Sequence, residues 1–246
     1  MGEGFDMLSA ELAELYGIRS ALEGGLVFCG VSEEQFAING RTYQWPPGAH
    51  LTWSLGFSRL GPLSDLDLKQ AYTEAFAEIA GCCHVTHEYV SNARVANIIV
   101  NVQRLDGPSG VLADMQIPVG NVLPSTQLQG RIDDSEAWGL FENPPPGKID
   151  FYRVALHELL HAHGLGHKPV DVREPALIAP MYDRSIRNLQ PADKAELVRR
   201  YGQPKVTATP TTPVPAVPPG VKPPVKLEVT LGGQVWIAEG TLKLKQ

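Results

Sequence analysis

The chain has 246 residues, 43% hydrophobic and 20% charged, so it holds enough apolar residues to bury a core and is not disordered throughout. Its 21 basic and 27 acidic residues leave a net charge of −6, which gives no long-range pull toward nucleic acid or an anionic membrane surface. No stretch approaches the ~18 consecutive apolar residues of a membrane span, and the opening MGEGFDMLSAELAELYG has neither the basic nor the apolar region of a secretory leader.

In chain order, residues 6–16 carry apolar positions at helical spacing and stop at Gly17, which predicts a short helix. The run from His50, LTWSLGF, reads as a strand. Between Pro62 and Gly81, Leu66, Ala71, Ala75, Phe76 and Ile79 recur at helical intervals and predict an amphipathic helix closed by Gly81. Cys82, Cys83, His84 and His87 follow at a helix-to-strand junction, a poor geometry for a metal cluster, and are read as structural. The three cysteines cannot build a disulfide framework, and Cys29 is the odd one out. HVTHEYV and ANIIVNV are expected strands, the second buried on both faces, and VLADMQIPV suits an edge strand because it ends at a proline. Residues 120–146 read as one long polar loop. Asp150 is placed to cap a helix through FYRVALHELLHAHG, and Pro191 opens a last helix that Gly202 closes. Residues 203–224 form a proline- and threonine-rich linker. The tail 225–246 reads as two or three strands turning at Gly232-Gly233, too few to bury a core, so it needs a surface of the domain or of a partner.

Four of the seven histidines fall between residues 157 and 167, in His157-Glu158-Leu159-Leu160-His161-Ala162-His163-Gly164-Leu165-Gly166-His167. A helix advances about 100° per residue, so His157 and His161 stand one turn apart on one face and can share a tetrahedral zinc ion. Glu158 flanks that face, within reach of a water and outside the ligand set. On a continuing helix His167 would point ~120° away from His161. Gly164 resolves this, because it can take positive φ, end the helix and let His167 fold back as third ligand. His163 faces the other side and is read as packing.

This HExxHxxGxxH pattern is the metzincin signature, and with Ala176-Leu177-Ile178-Ala179-Pro180-Met181-Tyr182 it closely resembles the matrixin (matrix metalloproteinase) branch. The resemblance extends to His50-Leu51-Thr52-Trp53, to 106–113, to Ile132-Asp133-Asp134-Ser135-Glu136-Ala137-Trp138, to Arg153-Val154-Ala155 and to ELVRRYG, covering about 41–202. It implies an α+β fold: a twisted mixed sheet of five strands, long helices and a small C-terminal subdomain. The implied division is a pro-like segment 1–40, a catalytic domain 41–202, the linker and the tail. The implied function is a zinc-dependent endopeptidase acting on protein or peptide in an extracellular setting, with Glu158 as general base. An extended substrate would add beside 111–117, touching Leu112 and Ala113, with Pro180 and Tyr182 as the opposite wall and Arg153 at the pocket base.

Several positions depart from the family. Ile178 stands where the family's turn methionine lies beneath the zinc, so either Ile178 forms the floor or the turn shifts to Met181. Asp114 and Arg131 replace two histidines of the family's structural zinc, and the loop before them is shortened to NVQRL, which implies one catalytic zinc only. Asp106, Asp133 and Glu136, with carbonyls of Gly107, Ser109 and Val111, match one family calcium site; a solvated acidic loop is the other reading. Cys29-Gly30-Val31 is similar to the pro-segment motif whose cysteine fills the open zinc position, although Phe28, Ser32 and Glu33 replace its neighbours. The other reading of Cys29 is a small buried hydrophobe. Two rival functions remain: a non-catalytic binding or structural protein on a degenerate scaffold, and a metallohydrolase acting on a non-peptide bond.

Overall fold

A computed structural model describes residues 28–30, 44–119, 122–169, 171, 173–205, 225–231 and 234–240. The helix expected over 6–16 and most of the linker lie outside them. The chain forms two compact units, 1–205 and 206–246.

In the first unit, β1 is Phe28–Cys29, β2 His50–Leu55, β3 Arg59–Leu60, β4 Leu63–Ser64 and α1 Asp65–Cys82. Then come β5 Thr86–Tyr89, a 3-10 turn at Ala93–Val95, β6 Ile98–Gln103, β7 Val111–Met115 and β8 Leu128–Asp133. The short strands β9 (Trp138–Gly139) and β10 (Ile149–Asp150) lead into α2 (Phe151–Ala162), and α3 (Pro191–Tyr201) follows. The sheet runs β7-β8-β6-β2-β5, with β1 added at the β7 edge. Pairings are parallel except β7 against β8, so the sheet is mixed and the expected α+β class holds.

Sequence and structure part company in three places. The long loop expected over 120–146 contains β8, which sits between β6 and β7. Gly130 and Arg131 break its apolar pattern, and it is a strand because both neighbours supply hydrogen bonds. In α1 the buried stripe is Leu68, Ala71, Tyr72, Ala75, Phe76 and Ile79, while Leu66 is 73% exposed. Gly81 lies inside that helix, which ends at Cys82; its start is set by Ser64, whose hydroxyl accepts from Asp67 N–H while Asp67 accepts from Ser64 N–H.

Aromatic contacts join the layers. Trp53 on β2 stacks 5.1 Å from Phe76 and 5.9 Å from Tyr72 on α1, and Tyr72 meets Phe151 of α2 at 5.6 Å. All twelve residues of α2 are buried, the polar ones included, so this helix is held from every side and presents its chemistry from a rigid base. In the second unit, β11 (Val225–Leu231) and β12 (Gln234–Gly240) pair antiparallel from Val225↔Gly240 to Leu231↔Gln234.

Candidate active site

Asp150 caps α2, accepting from Arg153 N–H at 3.3 Å, and its other partners are Phe141 N–H and the Arg187 guanidinium. The helix stops where Gly164 takes φ +83°. Its amide donates to His161 O at 2.8 Å, and Leu165 N–H donates to Leu160 O at 3.0 Å. That reversal returns His167 to the face holding His157 and His161.

The three Nε2 atoms converge, with His161 3.1 Å from His157 and 3.2 Å from His167. Zinc–nitrogen bonds of ~2.0–2.1 Å in a tetrahedron set neighbouring ligand atoms about 3.3 Å apart, so this set fits a single zinc ion. Nδ1 of His157 lies 2.8 Å from Leu177 O and Nδ1 of His161 2.8 Å from Leu165 O. Carbonyls there place the proton on Nδ1 and turn the Nε2 lone pairs inward. Burial, followed by the neighbouring rings, drives His157 well below the ordinary histidine range and His161 down to about 3. Both rings are therefore neutral at physiological pH, the form a metal requires.

Cys29 joins this group. Its Sγ and one ring nitrogen from each of His157, His161 and His167 all lie within 4.8 Å of one another. Strand β1 brings it there: Phe28 and Cys29 run parallel to β7 opposite Val111 and Ala113, and Gly30 N–H donates to Ala113 O at 2.8 Å. Cys29 N–H donates to Pro180 O at 3.1 Å, so the segment spans the space between the expected substrate strand and its opposite wall. Burial raises the Glu158 carboxyl to about 8, against the pull of the Cys29 thiol 3.7 Å from Oε2 and with a further push from Asp114.

A cavity of about 10 Å³ lies beside Glu158, lined by Leu112, Arg153, Pro180, Met181, Tyr182 and Cys29 among others, room for barely one water. Arg153 shortens it. The guanidinium is buried, donates from Nε to Ile186 O at 2.6 Å and lies 4.1 Å over the Tyr182 ring. Past His167 the cleft opens into a cavity of about 960 Å³ bordered by Ile117, Leu165 and Ile178.

Ile178 is buried in a turn whose Leu177 carbonyl meets His157, whereas Met181 lines the small cavity. Asp193 is a site residue that the sequence pattern did not single out. Its carboxylate, buried in the first turn of α3, accepts from Leu177 N–H at 2.8 Å, Ile178 N–H at 3.2 Å and Gln190 N–H at 2.8 Å. It thus anchors the turn that orients His157. The acid three residues after Gln190, at the helix start, was the available signal.

His163 is buried away from this cluster, with Nδ1 2.6 Å from Leu159 O and Nε2 2.9 Å from His87 Nε2. Asp114 and Arg131 face each other across β7 and β8 and form an ion pair, Arg131 Nε to Asp114 Oδ1 at 3.0 Å. In the acidic loop, Asp133 accepts from Leu105 and Asp106 N–H at 3.1 Å and from Ser135 N–H at 2.7 Å. Asp106 accepts from Val111 N–H at 3.1 Å and Glu136 from Ser109 N–H at 2.7 Å. Burial, with the charges of Asp133 and Asp106, raises Glu136 against the Ser109 bond. These carboxylates clasp the loop through its amides. Gly107, Ser109 and Val111 lie in or beside that loop.

The matrixin family profile matches residues 44–202. Matrix metalloproteinase-25 of Mus musculus is 30% identical over 165 residues, 62% of this chain and 26% of the relative. Stromelysin-3 of Rattus norvegicus is 29% identical over 157 residues, 59% of this chain and 29% of the relative. Matrix metalloproteinase-16 of Rattus norvegicus is 28% identical over 220 residues, 82% of this chain and 34% of the relative. The aligned stretches thus span about a quarter to a third of these curated relatives. The profile, the sheet order and the helix-borne histidines agree, and the chain belongs to the matrixins, a family of zinc-dependent metalloendopeptidases.

Proposed function

We propose that this chain is a zinc-dependent endopeptidase whose site is closed by its own N-terminal segment. The observation that carries the reading is the convergence of three imidazole nitrogens, those of His157 and His161 held neutral, beside a buried carboxylate. His157, His161 and His167 hold the zinc, which when bound polarises the scissile carbonyl and acidifies the attacking water. Glu158 takes the water's proton as general base and returns it to the leaving amine. Its place on the helix, adjacent to a ligand yet outside the ligand set, suits that role. An extended peptide lies along β7, bonded to the backbone of Leu112 and Ala113, with 180–182 opposite. Arg153 restricts the residue after the scissile bond to small or medium apolar side chains. Either Ile178 or Met181 supplies the apolar floor, and the turn tied to His157 favours Ile178.

Calcium held by the 106–111 loop with Asp133 and Glu136, an extracellular location and latency through Cys29 belong to the same reading. For latency the support is the sulfur's place among the three rings. Among the described residues, no helix is long and apolar enough to cross a membrane.

The decisive experiment compares wild type with Glu158→Ala, each trimmed of residues 1–40, for zinc content and cleavage of a quenched peptide library with and without chelator. Glu158→Ala should keep about one zinc per chain while turnover falls ~10²–10⁴-fold. Undiminished cleavage by the variant would overturn the mechanism.

A further inference from the structure

Two sulfurs stand apart from the zinc cleft. Cys82 is the last residue of α1 and Cys83 its C-cap, and both are free thiols. On a continuing helix their side chains would diverge by about 100°. The backbone instead turns extended at Cys83, φ −144° and ψ 167°, and both thiols reach one acceptor. Cys82 Sγ lies 3.1 Å and Cys83 Sγ 3.4 Å from Ile79 O, which also takes Cys83 N–H at 3.2 Å. One carbonyl with two lone pairs therefore faces three donors, two of them weak S–H groups. The thiols converge, and they give up little by leaving their acceptor.

A bond between them is disfavoured. Neighbouring Cα atoms sit about 3.8 Å apart across a trans peptide, short of the ~4.4 Å lower limit for an unstrained disulfide. An ion can bridge sulfurs that a covalent bond cannot. No third ligand joins them: His87 is turned to His163 at 2.9 Å, and among the described residues the one group of three or more convergent ligands is the zinc cleft. Two sulfurs cannot complete the four-coordinate shell zinc takes in structural sites, whereas a soft monovalent ion accepts thiolate pairs.

We propose that Cys82 and Cys83 form a two-sulfur binding site for Cu(I). Both thiol protons leave to solvent as the ion binds, and no electron is transferred. The resulting bis-thiolate complex carries one negative charge. The bond from Cys83 holds the Cys82 thiol below its ordinary value against burial, with Lys194 lowering and Glu78 raising it. The bond to Cys82 and burial push the Cys83 thiol far up, so the ion itself has to displace the Cys83 proton. Cys82 is partly exposed and offers the way in, while Cys83 is buried beneath it.

The test uses the full chain carrying Cys29→Ala and loaded with zinc, so that the cleft contributes neither its sulfur nor its histidines. Cu(I) is titrated anaerobically against bathocuproine disulfonate. One Cu(I) per chain should be withdrawn from the chelator, and X-ray absorption should show two sulfur neighbours. Adding Cys82→Ser should weaken retention at least tenfold with unchanged circular dichroism and zinc content. Because buried Cys83→Ser risks unfolding, the partly exposed Cys82→Ser is the deciding variant. Failure of the Cys29→Ala chain to compete for Cu(I), or equal retention after Cys82→Ser, would overturn the site.

Discussion

The sulfur of Cys29 lies 3.4 Å from Nε2 of His161, the place that the mechanism proposed above gives to the attacking water. The approach depends on Gly30, since a Cβ at that position would come within 2.7 Å of Val111 Cγ1 and 3.4 Å of Ala113 O. Cys29→Ala should therefore be more active than wild type without trimming. Gly30→Val should also raise the activity of the intact chain, by lifting the segment from β7. Peptide cleavage before and after trimming decides it, and identical rates for intact and trimmed wild type would remove Cys29 from regulation.

His167 and His163 should separate cleanly. His167→Ala takes away one of three convergent nitrogens, and zinc affinity measured by chelator competition should fall by at least ~100-fold, more than the loss of an outer-shell partner costs. His163→Ala should leave zinc content intact. It should lower the melting temperature, since it empties a buried site bonded to Leu159 O and His87 and costs roughly 2–3 kcal/mol. Equal loss of zinc in both variants would mean the third ligand is misassigned.

The stability of the metal-free chain should depend on pH through Glu158, whose carboxyl burial lifts from 4.5 to about 8. Between these values the folded state holds a proton that the unfolded state releases. The stability this contributes is fully present below pH 4.5 and is lost as pH rises through 8. By pH 7 the loss is roughly 3 kcal/mol. Glu158→Gln abolishes it, so the metal-free variant should melt several degrees above wild type at pH 7–8, with the gap closing near pH 4.5. Depressed histidines act oppositely: His161, lowered to about 3, costs stability as pH falls below 6.5 in both proteins alike. A pH-independent gap between variant and wild type would contradict the raised titration of the buried Glu158 carboxyl.

Arg153 should set the depth of the pocket after the scissile bond. Its guanidinium lies 4.1 Å over Tyr182 and donates to Ile186 O, a seat it cannot leave without stranding a buried charge. Cleavage of a positional library should favour small or medium apolar residues there. Arg153→Leu should shift the preference toward longer side chains while kcat on the best short substrate changes little. A wild-type preference for long aromatic residues would sink this account.

What could be read from the residues alone was whatever the local backbone dictates. The i,i+4 spacing of His157 and His161 puts both on one helix face whatever surrounds them. Gly164 can take the positive φ that returns His167, and Asp150, Pro191 and Gly202 mark helix ends through their own conformational limits. Tertiary structure decided what depends on partners distant in sequence. Strand β8 exists despite Gly130 because β6 and β7 pair with it. Leu66 is exposed and Leu68 buried because the sheet covers only one stripe of α1. Asp193 matters because its carboxylate meets the amides of Leu177 and Ile178, 16 and 15 residues upstream. Cys29 meets His161 across 132 residues because an edge strand accepts a parallel neighbour. Spacing sets a direction for each side chain; only long-range burial and hydrogen bonding determine what stands at the end of it.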